Sequence, residues 1–162
     1  MIERICTPKS LLLSFVLVSV VGPASAQEGM KMTFVTPDAL TWKDNPALPK
    51  GGQTAVLVGD PTKAGEMFVA RTRFPPNYQV PAHTHPYTES VTVISGSVYL
   101  GEGEKLDTEK GTLLKAGSYV LNPAKHAHYG WTKNEEAMVQ VQGIGPAAID
   151  YINPADDPRK TQ

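Results

Sequence analysis

This chain is interrupted too often to hold long helices. Its 14 prolines and 14 glycines are spread along 162 residues, and between them lie short runs rich in Val, Ile, Thr, Tyr and Phe. The runs fall at 54–58, 67–74, 78–83, 90–94, 97–100, 112–114, 119–121, 126–132, 137–142 and 148–151. Segments of this size, recurring roughly every 8–12 residues between turn signals, specify a β-sandwich or β-barrel. Ile94-Ser95-Gly96-Ser97-Val98 predicts a tight hairpin with Gly96 at positive φ. Residues 100–111, with Gly101, Gly103 and Lys105, predict a polar hairpin loop. Upstream, residues 27–53 combine Pro37, Pro46, Pro49 and Gly51-Gly52 with Trp42, and read as an arm packed across the barrel. The barrel itself is expected over 54–152, followed by a solvated polar tail, NPADDPRKTQ, at 153–162.

The first 26 residues read differently. Arg4 and Lys9 precede an apolar stretch, LLLSFVLVSVV at 11–21, and Ala24-Ser25-Ala26 supplies small residues at a cleavage point. That order reads as a secretory signal peptide cut after Ala26. The apolar run is shorter than the roughly 20 residues a membrane helix needs. A periplasmic or secreted protein, free of the membrane after cleavage, is therefore expected. The only cysteine, Cys6, leaves with the leader, so disulfides and thiol chemistry are excluded. Removing Glu3, Arg4 and Lys9 leaves 13 basic and 15 acidic side chains, with no basic cluster. Nucleic-acid binding requires such a cluster, so it is set aside.

Only four histidines occur, and they come as two pairs, His83/His85 and His126/His128. Residues i and i+2 of a strand share a face, so each pair presents two imidazoles side by side. Pro86-Tyr87-Thr88 can turn the chain, and Glu89 can then swing a carboxylate back toward the first pair. The second pair follows a turn signal, Asn122-Pro123, and in a barrel its strand can face the first across the lumen. Imidazoles with a carboxylate suit Zn, Fe, Ni, Cu or Mn, and the lack of thiolate argues against a cysteine-type zinc site.

These residues resemble the cupin motifs. The first, G-x5-H-x-H-x3,4-E-x6-G, is matched by Asn77, His83, His85, Glu89 and Gly96, with Asn77 in place of the leading glycine. Asn tolerates the left-handed conformation better than most residues. The second, G-x5-P-x-G-x2-H-x3-N, is matched by Gly117, Pro123 and His128, whereas Lys125 and Thr132 depart from it. The chain is thus similar to a small single-domain bacterial cupin, an all-β jelly-roll barrel. The resemblance implies one divalent transition metal held by His83, His85, Glu89 and His128, and a homodimer. His126, two residues before a ligand, is either a second partner in the lumen or a rim residue.

Around this site, Gln140 and Gln142 share a face and either line the pocket or pair on an exposed sheet. Arg71 and Arg73 share a face that is expected to point outward. Tyr129 and Trp131 point opposite to His128 and are expected outside the lumen, and Tyr87 lies near the ligands in sequence. Ser90 and Ser118 lack a nucleophile-elbow setting, and the Gly101–Lys105 stretch lacks a phosphate-loop ending, so no catalytic side chain is assigned. Cupins include dioxygenases, isomerases, decarboxylases and binding modules, so the resemblance fixes no reaction. A metal-dependent, dioxygenase-like enzyme acting on a small organic molecule is one expectation. A non-catalytic module binding a metal or small ligand is the other. A third, a regulatory cupin similar to the metal-bearing half of anti-sigma factors, conflicts with an exported chain.

Overall fold

The computed structural model describes residues 32–160; the expected signal peptide lies outside them. The described residues contain eleven strands, two short 3₁₀ turns and no α-helix. Strands β1 (Lys43–Asp44), β2 (Gln53–Val58), β3 (Met67–Phe74), β10 (Ala137–Ile144), β5 (Glu89–Ser95) and β8 (Tyr119–Asn122) form one sheet, in the order β1-β2-β3-β10-β5-β8. Strands β11 (Asp150–Tyr151), β4 (Gln79–Thr84), β9 (His128–Trp131), β6 (Ser97–Glu102) and β7 (Thr112–Lys115) form the other, in the order β11-β4-β9-β6-β7. All pairings are antiparallel. From β3 onward the chain crosses from one sheet to the other at every step except β6 to β7, so the two faces close on one interior, as in a jelly roll.

Alternation decides what fills that interior. Phe68, Ala70 and Thr72 of β3 face inward, as do Val139 and Val141 of β10. Val93, Val98, Ala137 and Val139 form a buried cluster, with Phe74, Val91, Leu114 and Val141 packed on it. A second cluster of Leu48, Tyr78 and Val80 ties the arm to the barrel. The Tyr78 hydroxyl donates to the Pro49 carbonyl, and the Tyr151 hydroxyl donates to that of Ala47 at 2.8 Å. Residues 100–111 do more than turn the chain. Leu106 covers an outer cluster of Ala82, Tyr129 and Trp131, and the Tyr129 hydroxyl donates to the Lys110 carbonyl at 2.9 Å.

Both departures from the cupin glycine pattern hold the conformation that glycine would. Asn77 has φ 57° and Lys125 has φ 62°. The backbone turns are kept, at the cost of about 1–2 kcal/mol that a side chain suffers there. Thr132 also replaces its family counterpart with a working substitute. Its hydroxyl donates to the Pro75 carbonyl (2.6 Å) and accepts from the Tyr78 N–H (2.9 Å), bracing the turn that leads into β4.

The described part of the tail is mostly exposed, with one anchored point. Asp157 is buried and receives Arg159 through Nε (2.7 Å) and Nη2 (3.0 Å). The same Nη2 donates to the Ile149 carbonyl at 2.8 Å, so the tail folds back on the barrel mouth.

Candidate metal centre

One irregularity in β4 aims the first histidine pair. The β4/β9 register pairs Val80 with Gly130 and His83 with His128, three residues on against two. The extra residue is a bulge at Pro81-Ala82, where a proline is tolerated. Val80 and His83 consequently both face the interior, while Ala82 packs outward with Tyr129 and Trp131. His85 follows on the same face as His83, and His128 enters from the neighbouring strand.

The three rings form a compact triangle. Ring centroids are 4.9 Å apart for His83 and His85, 4.4 Å for His83 and His128, and 5.1 Å for His85 and His128. Each Nδ1 is tied to a backbone carbonyl: His83 to Pro81 (2.7 Å), His85 to Ala148 (2.7 Å) and His128 to His126 (3.0 Å). A carbonyl only accepts, so every Nδ1 carries the proton and every Nε2 offers a lone pair. Burial favours the neutral form of His83 and His128. It lowers His83 to about 3, helped by the neighbouring His128 and His85, and it lowers His128 as well. One donor atom from each ring lies within 4.8 Å of the other two.

Glu89 joins this triangle through one oxygen. Its Oε2 lies 3.5 Å from His85 Nε2 and 3.9 Å from His128 Nε2. Donors each about 2.1 Å from a common ion are separated by roughly 3.0 Å at a right angle and 3.4 Å in a tetrahedron. The two Glu89 spacings are wider than this and the imidazole donors lie within 4.8 Å of one another, so the side chains would close inward to seat an ion. Neutral imidazoles plus a carboxylate fit a divalent transition metal.

Two further groups complete the site. Asn122, buried at the end of β8, donates its Nδ2 to Glu89 Oε2 at 2.9 Å. Tyr87 packs its ring against His85 (5.3 Å) and edge-on to Phe68 (5.4 Å, 76°). Gly143 makes room for it, because a Cβ there would lie 2.5 Å from the Tyr87 ring. Burial, then the Glu89 carboxylate, pushes the Tyr87 phenol well above its ordinary value, so it stays protonated.

The centre opens on a cavity of about 370 Å³ between the sheets. Its walls are mainly hydrocarbon, from residues such as Phe68, Phe74, Val91, Leu100, Val120 and Val141. Arg159 reaches the same cavity from the tail.

The other expected site residues lie elsewhere. Gln140 and Gln142 are on the outer face of β10, because Val139 and Val141 take the inward positions. Gln140 accepts from Arg71 Nε at 3.4 Å, so neither glutamine lines the pocket. The His126 ring is exposed and sits 3.2 Å from Glu102 Oε2; only its carbonyl reaches the site, through His128. Arg71 and Arg73 point outward, Arg73 stacking on Trp42 at 4.6 Å. Tyr129 and Trp131 pack on the outer side beneath the 103–111 loop, Trp131 also bordering the cavity. Asn122 escaped sequence reasoning, which took Asn122-Pro123 as a turn; the available signal was Val120, two residues earlier on the apolar inward face.

Barrel and histidine cluster together define a small cupin domain. The ChrR cupin-like domain family matches residues 30–147, more than half of the chain, and this protein belongs to that family. None of the curated proteins matches the sequence. Among solved structures, the chain is similar to the polyketide cyclase RemF from Streptomyces resistomycificus, with 17% identity over 80% of this chain and 92% of that one (TM-score 0.66). It also resembles an RmlC-like cupin from Shewanella frigidimarina, with 13% identity over 71% and 93% of the two chains (TM-score 0.56). KdgF from Halomonas sp. shares 14% identity over 71% and 96% (TM-score 0.55). At these identities the likeness is one of fold.

Proposed function

We propose that this protein binds one divalent transition metal through His83, His85 and His128 Nε2 and Glu89 Oε2. We further propose that it is a metal-dependent, dioxygenase-like enzyme acting on a small, largely apolar organic molecule. The observation that carries this reading is the locking of all three Nδ1 atoms on backbone carbonyls, which turns three neutral Nε2 lone pairs toward one point. A bound ion would supply Lewis acidity toward a substrate oxygen and, if redox-active, would pass electrons from the substrate to dioxygen, the oxidant.

The chain's own groups account for the rest. Hydrocarbon walls strip water from the substrate and hold it beside the site; burying about 150 Å² of apolar surface contributes roughly 4 kcal/mol. The volume falls within the range of about 300–1,000 Å³ typical of small-molecule sites. Tyr87 offers a protonated phenol as a hydrogen-bond donor to a substrate oxygen next to His85. Zn, Fe, Mn, Ni and Cu all suit the donor set.

A second reading is a non-catalytic module that binds a metal or small ligand. It is favoured by the pairing of the polar side chains away from the histidines: Arg159 is held by Asp157, and Thr72 is 3.2 Å from Thr54. Oxygen uptake by the iron-loaded protein across a panel of small aromatic and aliphatic oxygenated compounds separates the two. Turnover that is lost in His83→Ala supports the enzyme. Compounds that bind the loaded protein without any conversion, under air and with each metal, leave the module.

Two accompanying proposals are export and pairing. A leader at 1–26 predicts a mature N-terminus at Gln27, which intact-mass spectrometry of the exported protein reads directly. Exposed Tyr119 and Leu121 on edge strand β8 support a homodimer, and light scattering of the purified protein tests it.

A further inference from the structure

Glu89 and Asn122 are direct partners across the β5/β8 pairing, and both side chains point into the barrel. Both are buried, at 7% and 4% exposure. An ionised carboxylate can only accept a hydrogen bond, so the 2.9 Å contact fixes the amide with its NH₂ toward Glu89. The oxygen it touches, Oε2, is the one nearest to His85 Nε2 and His128 Nε2. The same Nδ2 is 3.5 Å from His128 Nε2. Asn122 therefore stands between the one carboxylate and one of the three imidazoles, on a strand that carries none of those four groups.

We propose that Asn122 is a positioning residue for the metal centre, which holds Glu89 Oε2 at the imidazole triangle through its amide N–H. This rests on the metal-binding reading above. Glu is the most flexible of the four proposed ligands, with three rotatable side-chain bonds, and besides the Tyr87 phenol, which also hydrogen-bonds its carboxylate, the Asn122 amide is the group that holds Oε2. The amide fixes the oxygen that faces the imidazoles. Hydrogen bonds of this kind orient ligands, and their loss typically weakens metal affinity by roughly 10- to 100-fold. The donor also withdraws charge from the oxygen it contacts, so it tunes the carboxylate as a ligand as well as aiming it.

The test is a cobalt(II) titration of the full mature chain, followed by absorption in the visible, for wild type, Asn122→Ala, Glu89→Ala and the double variant. Cobalt affinity in Asn122→Ala is expected to fall by roughly 10- to 100-fold, with altered cobalt bands. Because Asn122 acts through Glu89, adding Asn122→Ala to Glu89→Ala should change affinity by no more than about twofold. Asn122→Leu keeps a side chain of about that size without a donor or a charge and serves if Asn122→Ala does not fold; it too is expected to lose affinity. Wild-type binding that is unaltered in either folded Asn122 variant overturns the proposal. So does an equal loss with and without Glu89, which would show a role independent of the carboxylate. Wild type that takes no cobalt at all overturns the metal-binding reading itself, and so the two failures are told apart.

Discussion

Replacing Thr132 with valine keeps the side chain's shape and removes its hydroxyl. That hydroxyl is 2.6 Å from the Pro75 carbonyl and 2.9 Å from the Tyr78 N–H, and Thr132 is 3% exposed. In the variant the Tyr78 N–H is buried without an acceptor, which costs about 1–3 kcal/mol. The lost hydrogen bond to Pro75 adds about 1 kcal/mol, and the extra methyl returns roughly 0.8 kcal/mol. The expected net loss is about 2 kcal/mol, or close to 1 M in the urea midpoint for a domain of this size. Urea unfolding of the metal-free protein, followed by far-UV circular dichroism, measures it. Thr132→Ser retains the hydroxyl and should recover most of the loss. A Thr132→Val midpoint within about 0.3 M of wild type, or a serine variant no better than valine, would refute the argument that Thr132 braces the turn into β4.

Acid should destabilise the metal-free barrel. His83 is lowered from 6.5 to about 3 by burial, so the unfolded chain takes up its proton first. Its contribution is whole above about 6.5 and is lost as pH falls through the window down to about 3; between pH 7 and pH 5 this amounts to about 2 kcal/mol. His128 shifts in the same direction and adds to the effect. A urea midpoint independent of pH over that range, in chelated protein, would contradict the neutral buried rings. Gln140→Ala, on the outer face, should leave cobalt affinity unchanged and stability within about 0.5 kcal/mol; a clear loss of affinity would place Gln140 back in the site.

Strand rhythm made the barrel legible because period-2 burial needs no partner to be recognised. The run at 67–74 coincides with β3, and the Gly96 hairpin has the positive φ (67°) its turn requires. The histidine pairs were legible for the same reason, since i, i+2 spacing in a strand fixes a shared face. Face choice was harder where the pattern was symmetric. Val139-Gln140-Val141-Gln142 alternates equally well either way until one asks which side chains the core needs, and the valines take it. Asn122 was hidden because its role depends on a register 33 residues long, Glu89 against Asn122, set by how β5 and β8 pair. The Ala148 carbonyl that orients His85, 63 residues away, has no side-chain signature at all. Pro81 inside a strand was a readable sign of the bulge that turns His83 inward.

Metal content tests the central claim most directly. Elemental mass spectrometry on the mature protein, purified without chelator, should find about one equivalent of iron, manganese, nickel, copper or zinc per chain. His83→Ala and Glu89→Ala, folded by circular dichroism, should each lose most of it. Folded wild-type protein that carries no metal and takes none up when supplied, or variants that retain a full equivalent, would contradict the account.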